Sequence, residues 1–290
     1  MAVNLLRALQ EFGQSIWLDD LHRELLRSDE LARLIDDDGI SGVTSNPSIF
    51  QHAIAEDPSY RADIRRLRTA GAAPRDIYEQ LVFQDVRNAA DALHRVYQRS
   101  GGHDGFVSLE VSPSLAADTS GTVTEARRLW LALNRPNAMI KVPATRQGLP
   151  AVRRLISEGI NVNATLLFGV TRYREVLDAF AAGLDDRKSA GEAIDRIASV
   201  ASVFVSRIDT LVDDKLAAVH DADRSGRAHT LVGKAGIEVA RFAYQDFKKF
   251  VASARWGALA ASGVRPQRLL WASTGTKNTA YSDVTQQSRI

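Results

Sequence analysis

From residue 15 to residue 273, short apolar runs alternate with longer stretches in which apolar residues recur at helical spacing. The short runs read as strands: Ser15 to Asp19 (SIWLD), Gly42 to Asn46 (GVTSN), Phe106 to Val111 (FVSLEV), Ala138 to Pro143 (AMIKVP), Asn161 to Phe168 (NVNATLLF), Ala201 to Arg207 (ASVFVSR) and Arg268 to Ser273 (RLLWAS). Between them the periodicity predicts helices over Leu21 to Ile35, Arg75 to Arg99, Val123 to Leu133, Leu149 to Ser157, Thr171 to Leu184, Ile208 to Val219 and Thr230 to Ala252. Strands that alternate with helices pair in parallel, because each helix carries the chain back to start the next strand. Thr122 and Glu125 have the spacing of a helix-opening capping box, and Pro58, Pro74 and Pro266 punctuate loops. No repeat, linker or low-complexity segment divides the chain, so residues 1–290 read as one α/β domain.

Such an alternation folds as an open doubly wound sheet or as a closed (β/α)8 TIM-type barrel. The glycine-rich turn that a dinucleotide-binding sheet places after its first strand is absent from the sequence. Instead, polar residues sit near the C-terminal ends of nearly all strands: Asp19, Asn46, Glu110, Lys141, Asn163 with Thr165, Arg207, and the TGTKN loop after the seventh. Convergence of many strand ends on one mouth is how a barrel builds a site. Strand alternation puts Asn161, Asn163 and Thr165 on one face and Val162, Ala164 and Leu166 on the other. By the same count Ser108 and Glu110 share the inward face of their strand, and Met139, Lys141 and Pro143 that of the next. Burying a lysine disfavours its charged form, so the neutral amine needed to attack a carbonyl becomes accessible. The competing reading is a permanent buried ion pair of Lys141 with Glu110 or Asp19.

Composition narrows the chemistry. The chain has no cysteine, which excludes disulfides, a thiolate nucleophile, iron–sulfur clusters and cysteine-ligated zinc, and favours the cytoplasm. Its 37 basic and 35 acidic side chains nearly balance, so nucleic acid is not the expected partner. The densest basic stretch, Arg61 to Arg68, reads as a solvated helix face. Neither a signal peptide nor 18 consecutive apolar residues occur, so no membrane partner is expected. The six histidines show no metal-ligand spacing, and Asp36-Asp37-Asp38-Gly39 reads as a charged helix end closed by glycine rather than a calcium loop.

GVTSNPSIF (Gly42 to Phe50), IKVPAT (Ile140 to Thr145), GINVNATLLF (Gly159 to Phe168), VASVFVSRID (Val200 to Asp209) and WASTGTKN (Trp271 to Asn278) occur in the order of the signature blocks of transaldolases, a family of Schiff-base-forming class I aldolases, and the sequence resembles that family from about Ser15 to Val284. The resemblance implies a metal-free, cofactor-independent transferase of the pentose phosphate pathway that moves a dihydroxyacetone unit from a ketose phosphate to an aldose phosphate. It assigns Lys141 as the imine-forming lysine, Glu110 as the acid and base acting through a water shared with Thr165, and Asp19 as the group that takes the C4 hydroxyl proton. Asn46 and Asn163 would hold hydroxyls of the bound fragment, Ser202 and Phe204 would line the pocket, and Arg207 and Lys277 would bind phosphate. One tension is internal: Arg207 has the opposite strand parity from Phe204 and must lie beyond the strand end or follow a bulge.

The tail departs from the family. Thr279 stands at the usual proline position, and the polar stretch Thr285 to Ile290 contains no apolar eighth strand. A barrel short of its eighth strand and terminal helices has open edges. Either the chain is a shortened form, or another segment closes the gap, one read here as helix or one donated by a second subunit of a homo-oligomer. Two other readings stay open: a fructose 6-phosphate aldolase-like cleavage that releases dihydroxyacetone, and a catalytically impaired sugar-phosphate-binding barrel.

Overall fold

The computed structural model describes residues 4–219 and 227–275 of the chain. Seven parallel strands are present among them: β1 (Ile16–Leu18), β2 (Ile40–Thr44), β3 (Phe106–Glu110), β4 (Ala138–Pro143), β5 (Val162–Leu167), β6 (Ser199–Phe204) and β7 (Arg268–Ala272). The helices are α1 (Leu5–Ala8), α2 (Arg23–Arg27), α3 (Glu30–Arg33), α4 (Pro47–Glu56), α5 (Arg61–Thr69), α6 (Pro74–Arg99), α7 (Thr119–Leu133), α8 (Gly148–Ser157), α9 (Val170–Ser189), α10 (Ser206–Val219), α11 (Arg227–Leu231), α12 (Ala235–Val251) and α13 (Ala254–Ala260). All seven expected strands form, within a few residues of their expected limits. The chain divides into two compact units, Met1–Ser112 with Gly121–Lys141, and Pro113–Ser120 with Val142–Ile290.

In the first unit β1 pairs with β2, β2 with β3 and β3 with β4, all in parallel and in chain order. Gly42 permits the close β1–β2 approach, because a Cβ there would lie 2.3 Å from the Trp17 ring. The apolar stripe of α6, with Leu81, Val82, Val86, Ala89, Ala90 and Leu93 buried, repeats at helical spacing and supplies much of this unit's core. In the second unit β5 pairs with β6 and β6 with β7, again parallel and in order. Here α9 buries Tyr173, Val176, Leu177, Phe180, Ala181 and Leu184. Consecutive strands that neighbour one another without a reversal of order are the connectivity of the TIM-type α/β class, not of the doubly wound sheet.

Several local expectations are corrected. The stretch Leu21 to Ile35 is not one helix: Asp29 is left-handed at φ 58°, which separates α2 from α3, and a wide turn over Leu34–Asp38 follows. That turn ends at Gly39, left-handed at φ 76°, as the acidic run followed by glycine implied. Thr122 does not open a helix, since α7 already begins at Thr119 and Thr122 is buried within it. Glu125 instead accepts the Ser112 backbone N–H at 3.3 Å. The expected strand Ala201 to Arg207 ends at Phe204, and Arg207 lies in the first turn of α10, which removes its parity conflict by placing it beyond the strand end.

Candidate functional site

In the first unit, β3 and β4 run in unbroken register with Glu110 opposite Lys141. Both strands are buried up to these residues, with Ser108 the one polar side chain before them, so burial of the strands carries the two charges inward. Lys141 is 6% exposed, and its Nζ lies 3.5 Å from Glu110 Oε2 and donates to the Ser45 carbonyl at 3.3 Å. The amine is thus held between the ends of β2 and β3. Burial pushes the Glu110 carboxyl above the usual glutamate value; Lys141 opposes that shift and the negative charge of Asp19 adds to it. Asp19 follows β1, is exposed, and accepts a 2.6 Å hydrogen bond from the Thr44 hydroxyl. Asn46 follows β2 and caps α4, its side-chain oxygen accepting the Ile49 N–H at 3.1 Å with Pro47 in the first turn. The cap engages the amide oxygen of Asn46.

The second unit carries the other expected residues. Asn163 and Ser202 are both buried, and Ser202 Oγ donates to Asn163 Oδ1 at 2.7 Å across the β5–β6 pair. The alternation expected for β5 then breaks. Register with β6 shifts between Ala164 and Leu167, and Leu166 has φ 62° and is 38% exposed, although simple alternation places it on the helix-packed face. The bulge leaves Thr165 fully buried with its carbonyl accepting the Ala144 N–H at 2.8 Å. The Thr165 hydroxyl has no hydrogen-bond partner among the described residues. An orphaned hydroxyl in such a position is costly unless a water or ligand satisfies it.

Phe204 ends β6 with Phe168 beside it, ring centroids 5.4 Å apart, and the exposed Arg207 guanidinium stacks on the Phe204 ring at 5.2 Å. The start of α10 is tied to the end of β7: Ser206 N–H donates to the Ser273 carbonyl at 3.0 Å, and the two hydroxyls lie 2.8 Å apart. Lys277, the other expected phosphate ligand, lies outside the described residues, as do Thr279 and the tail Thr285 to Ile290.

Three residues that touch the expected site residues escaped the sequence reading: Thr44, Ser45 and Phe168. Thr44 and Ser45 lie inside GVTSNPSIF, but their roles depend on what β1 and β4 bring beside them. Phe168 could have been noticed as a large aromatic placed after the strand end.

The model of the transaldolase/fructose-6-phosphate aldolase family matches residues 16–288. The chain belongs to this family. Curated proteins named transaldolase are similar to it over nearly all of this chain. That of Trichodesmium erythraeum (strain IMS101) is 50% identical over 98% of this chain and 76% of its own length. That of Thiobacillus denitrificans is 49% identical over 97% of this chain and 77% of its own. The Saccharopolyspora erythraea protein is 50% identical over 96% and 74% respectively. Among the described residues no helix is long and apolar enough to cross a membrane.

Proposed function

We propose that this protein is a transaldolase that transfers a dihydroxyacetone unit between sugar phosphates, sedoheptulose 7-phosphate and glyceraldehyde 3-phosphate giving erythrose 4-phosphate and fructose 6-phosphate, in the cytoplasmic pentose phosphate pathway. The observation that carries the reading is the buried Lys141 amine held against Glu110 at a strand end, in a chain of this family. The ion pair and the catalytic reading do not conflict. The carboxylate that lies 3.5 Å from the Lys141 nitrogen is also placed to exchange a proton with it.

Lys141 Nζ attacks the C2 carbonyl of the ketose phosphate, and the carbinolamine loses water as Glu110 delivers a proton to the departing hydroxyl. Asp19 removes the C4 hydroxyl proton; the C3–C4 bond breaks, its electron pair passes into the iminium, and the shortened aldose phosphate departs. The enamine left on Lys141 attacks the acceptor aldehyde, Asp19 returns its proton, and hydrolysis frees the amine. Thr165 fits the role of holding the catalytic water, because its buried hydroxyl has no partner among the described residues. Asn46, Asn163 and Ser202 are assigned to the hydroxyls of the fragment and Phe204 to its packing, while Arg207 and Lys277 take the phosphate. The free guanidinium face of Arg207, already oriented on an aromatic ring, supports that assignment.

The family description covers both transfer and simple cleavage, so product analysis must separate them. Fructose 6-phosphate with borohydride is expected to leave a reduced substrate adduct on Lys141, absent from Lys141→Ala, and erythrose 4-phosphate is expected to draw the three-carbon unit into sedoheptulose 7-phosphate. Free dihydroxyacetone as the sole product would favour the aldolase reading. A folded protein that binds sugar phosphate without any adduct would replace the proposal with an idle binding barrel.

A further inference from the structure

On the apolar stripe of α6 stands one charged residue, Asp85, with no exposed surface. Its Oδ1 accepts from Arg23 Nε at 3.0 Å and its Oδ2 from the Tyr60 hydroxyl at 2.7 Å. The same Tyr60 oxygen accepts the Arg23 backbone N–H at 3.0 Å, and the Arg23 guanidinium lies over the Tyr60 ring at 4.3 Å. Arg23 Nη1 also reaches Asp63 at 2.6 Å. Burial pushes the Asp85 carboxyl up despite Arg23, so the network holds its charge against a desolvation cost that an apolar side chain at 85 would not carry. Hydrogen bonds to a shared buried acceptor fix the direction of the segments that donate them, which apolar packing alone does not.

The two segments joined here are the ones that leave the site. Arg23 follows Asp19 by four residues, and Tyr60 closes the stretch that Asn46 opens as the cap of α4. A second tie runs beside the first: Asp57 accepts the Glu24 N–H at 3.2 Å through one carboxylate oxygen and the Ser59 N–H at 2.8 Å through the other. At the opposite end of the Asp19 segment, the Thr44 hydroxyl holds the Asp19 carboxylate.

We infer that Tyr60, Asp85 and Arg23 are positioning residues for carbon–carbon cleavage, locking the Asp19 and Asn46 segments to one buried point on α6 so that the Asp19 carboxylate meets the substrate C4 hydroxyl at a fixed distance. They touch no reacting atom. The inference rests on the proposed transaldolase chemistry and assigns the network to one step of it, cleavage after the imine has formed.

That step leaves a mass signature. Borohydride trapping with fructose 6-phosphate gives a six-carbon, phosphate-bearing adduct on Lys141 before cleavage and a three-carbon adduct after it. Tyr60→Phe keeps the ring under Arg23 and deletes only the hydroxyl. Its total trapping is expected within about twofold of wild type, with the ratio of six- to three-carbon adduct raised about tenfold, below the roughly hundredfold that a 1 Å misplacement can cost. Asp19→Asn should give the same shift at its extreme and so calibrates it. A merely structural network lowers the folded fraction and reduces both adducts together, and an unchanged ratio in folded Tyr60→Phe would overturn the inference. Should Tyr60→Phe not fold, Asp57→Asn loosens the parallel tie, and the same ratio decides. A wild-type protein that traps no adduct overturns the proposed function and this inference with it, whereas a trapped wild type with an unmoved ratio overturns the inference alone.

Discussion

The ends of β3 and β4 and the ends of β5 and β6 carry comparable polar residues, yet they are built differently. Between β3 and β4 the register is continuous, Glu110 faces Lys141, and strand alternation by itself pairs the acid with the amine. Between β5 and β6 the register shifts at Thr165 and Leu166, so alternation holds through the Asn163–Ser202 contact and fails one residue later. A regular pair fixes a salt bridge within the protein. Beside the bulged pair, the buried Thr165 hydroxyl has no hydrogen-bond partner among the described residues.

The largest expected effect tests that hydroxyl. Thr165→Val keeps the shape and removes the orphaned oxygen, so transfer activity should fall by about 10²-fold, at the lower end of what a proton-transfer group contributes. Stability, read by thermal or urea unfolding, should hold or rise by up to about 1 kcal/mol, because no partner among the described residues is lost. A loss of stability with intact activity would mean that the bulge serves packing only.

Leu166 sharpens the comparison at smaller scale. An L-residue in the left-handed region costs about 1–2 kcal/mol, and glycine does not carry that cost. Leu166→Gly is therefore expected to stabilise by about 1 kcal/mol or less once the lost apolar contact of a partly exposed leucine is subtracted. Leu166→Val should destabilise instead, because a β-branched side chain fits that backbone worse. Equal stability of both variants would mean that the bulge relaxes to a regular strand.

The smallest effect concerns the regular pair. Burial raises the Glu110 carboxyl from its ordinary value of 4.5, and the Asp19 charge raises it further. Its ionised form is thus lost as pH falls through a value above 4.5, and the imine-trapping rate should decline there. Asp19→Asn removes one of the two raising influences, so the acid limb of that trapping rate should move to lower pH. An unmoved limb would mean that Asp19 does not act on Glu110 electrostatically.

Lys141, Glu110, Asp19 and Asn46 were singled out because each lies near the C-terminal end of an expected strand, and the signature blocks around Lys141 and Asn46 supplied the expected chemistry. The Arg23–Tyr60–Asp85 network was not legible. Asp85 reads in sequence as one acidic residue on an amphipathic helix, and nothing local shows that residues 62 and 25 positions earlier will meet it. The capping-box reading at Thr122 failed for a related reason: the side-chain pattern fits a helix start, but Glu125 found the Ser112 backbone instead.

What the sequence determined by itself is periodic and local: seven strands, most of the helices between them, the parallel class that their alternation implies, and the family named by its ordered blocks. Alternation follows from backbone geometry repeated every two residues, so it survives without knowledge of neighbours. The tertiary structure decided where that repeat stops. It chose the bulge at Leu166, the end of β6 before Arg207, the carbonyl and carboxylate that hold Lys141, and the buried carboxylate to which the Asp19 and Asn46 segments are tied. Each depends on a partner distant in sequence, and the free energy of a hydrogen bond or a desolvated charge is set by that partner, not by the residues on either side.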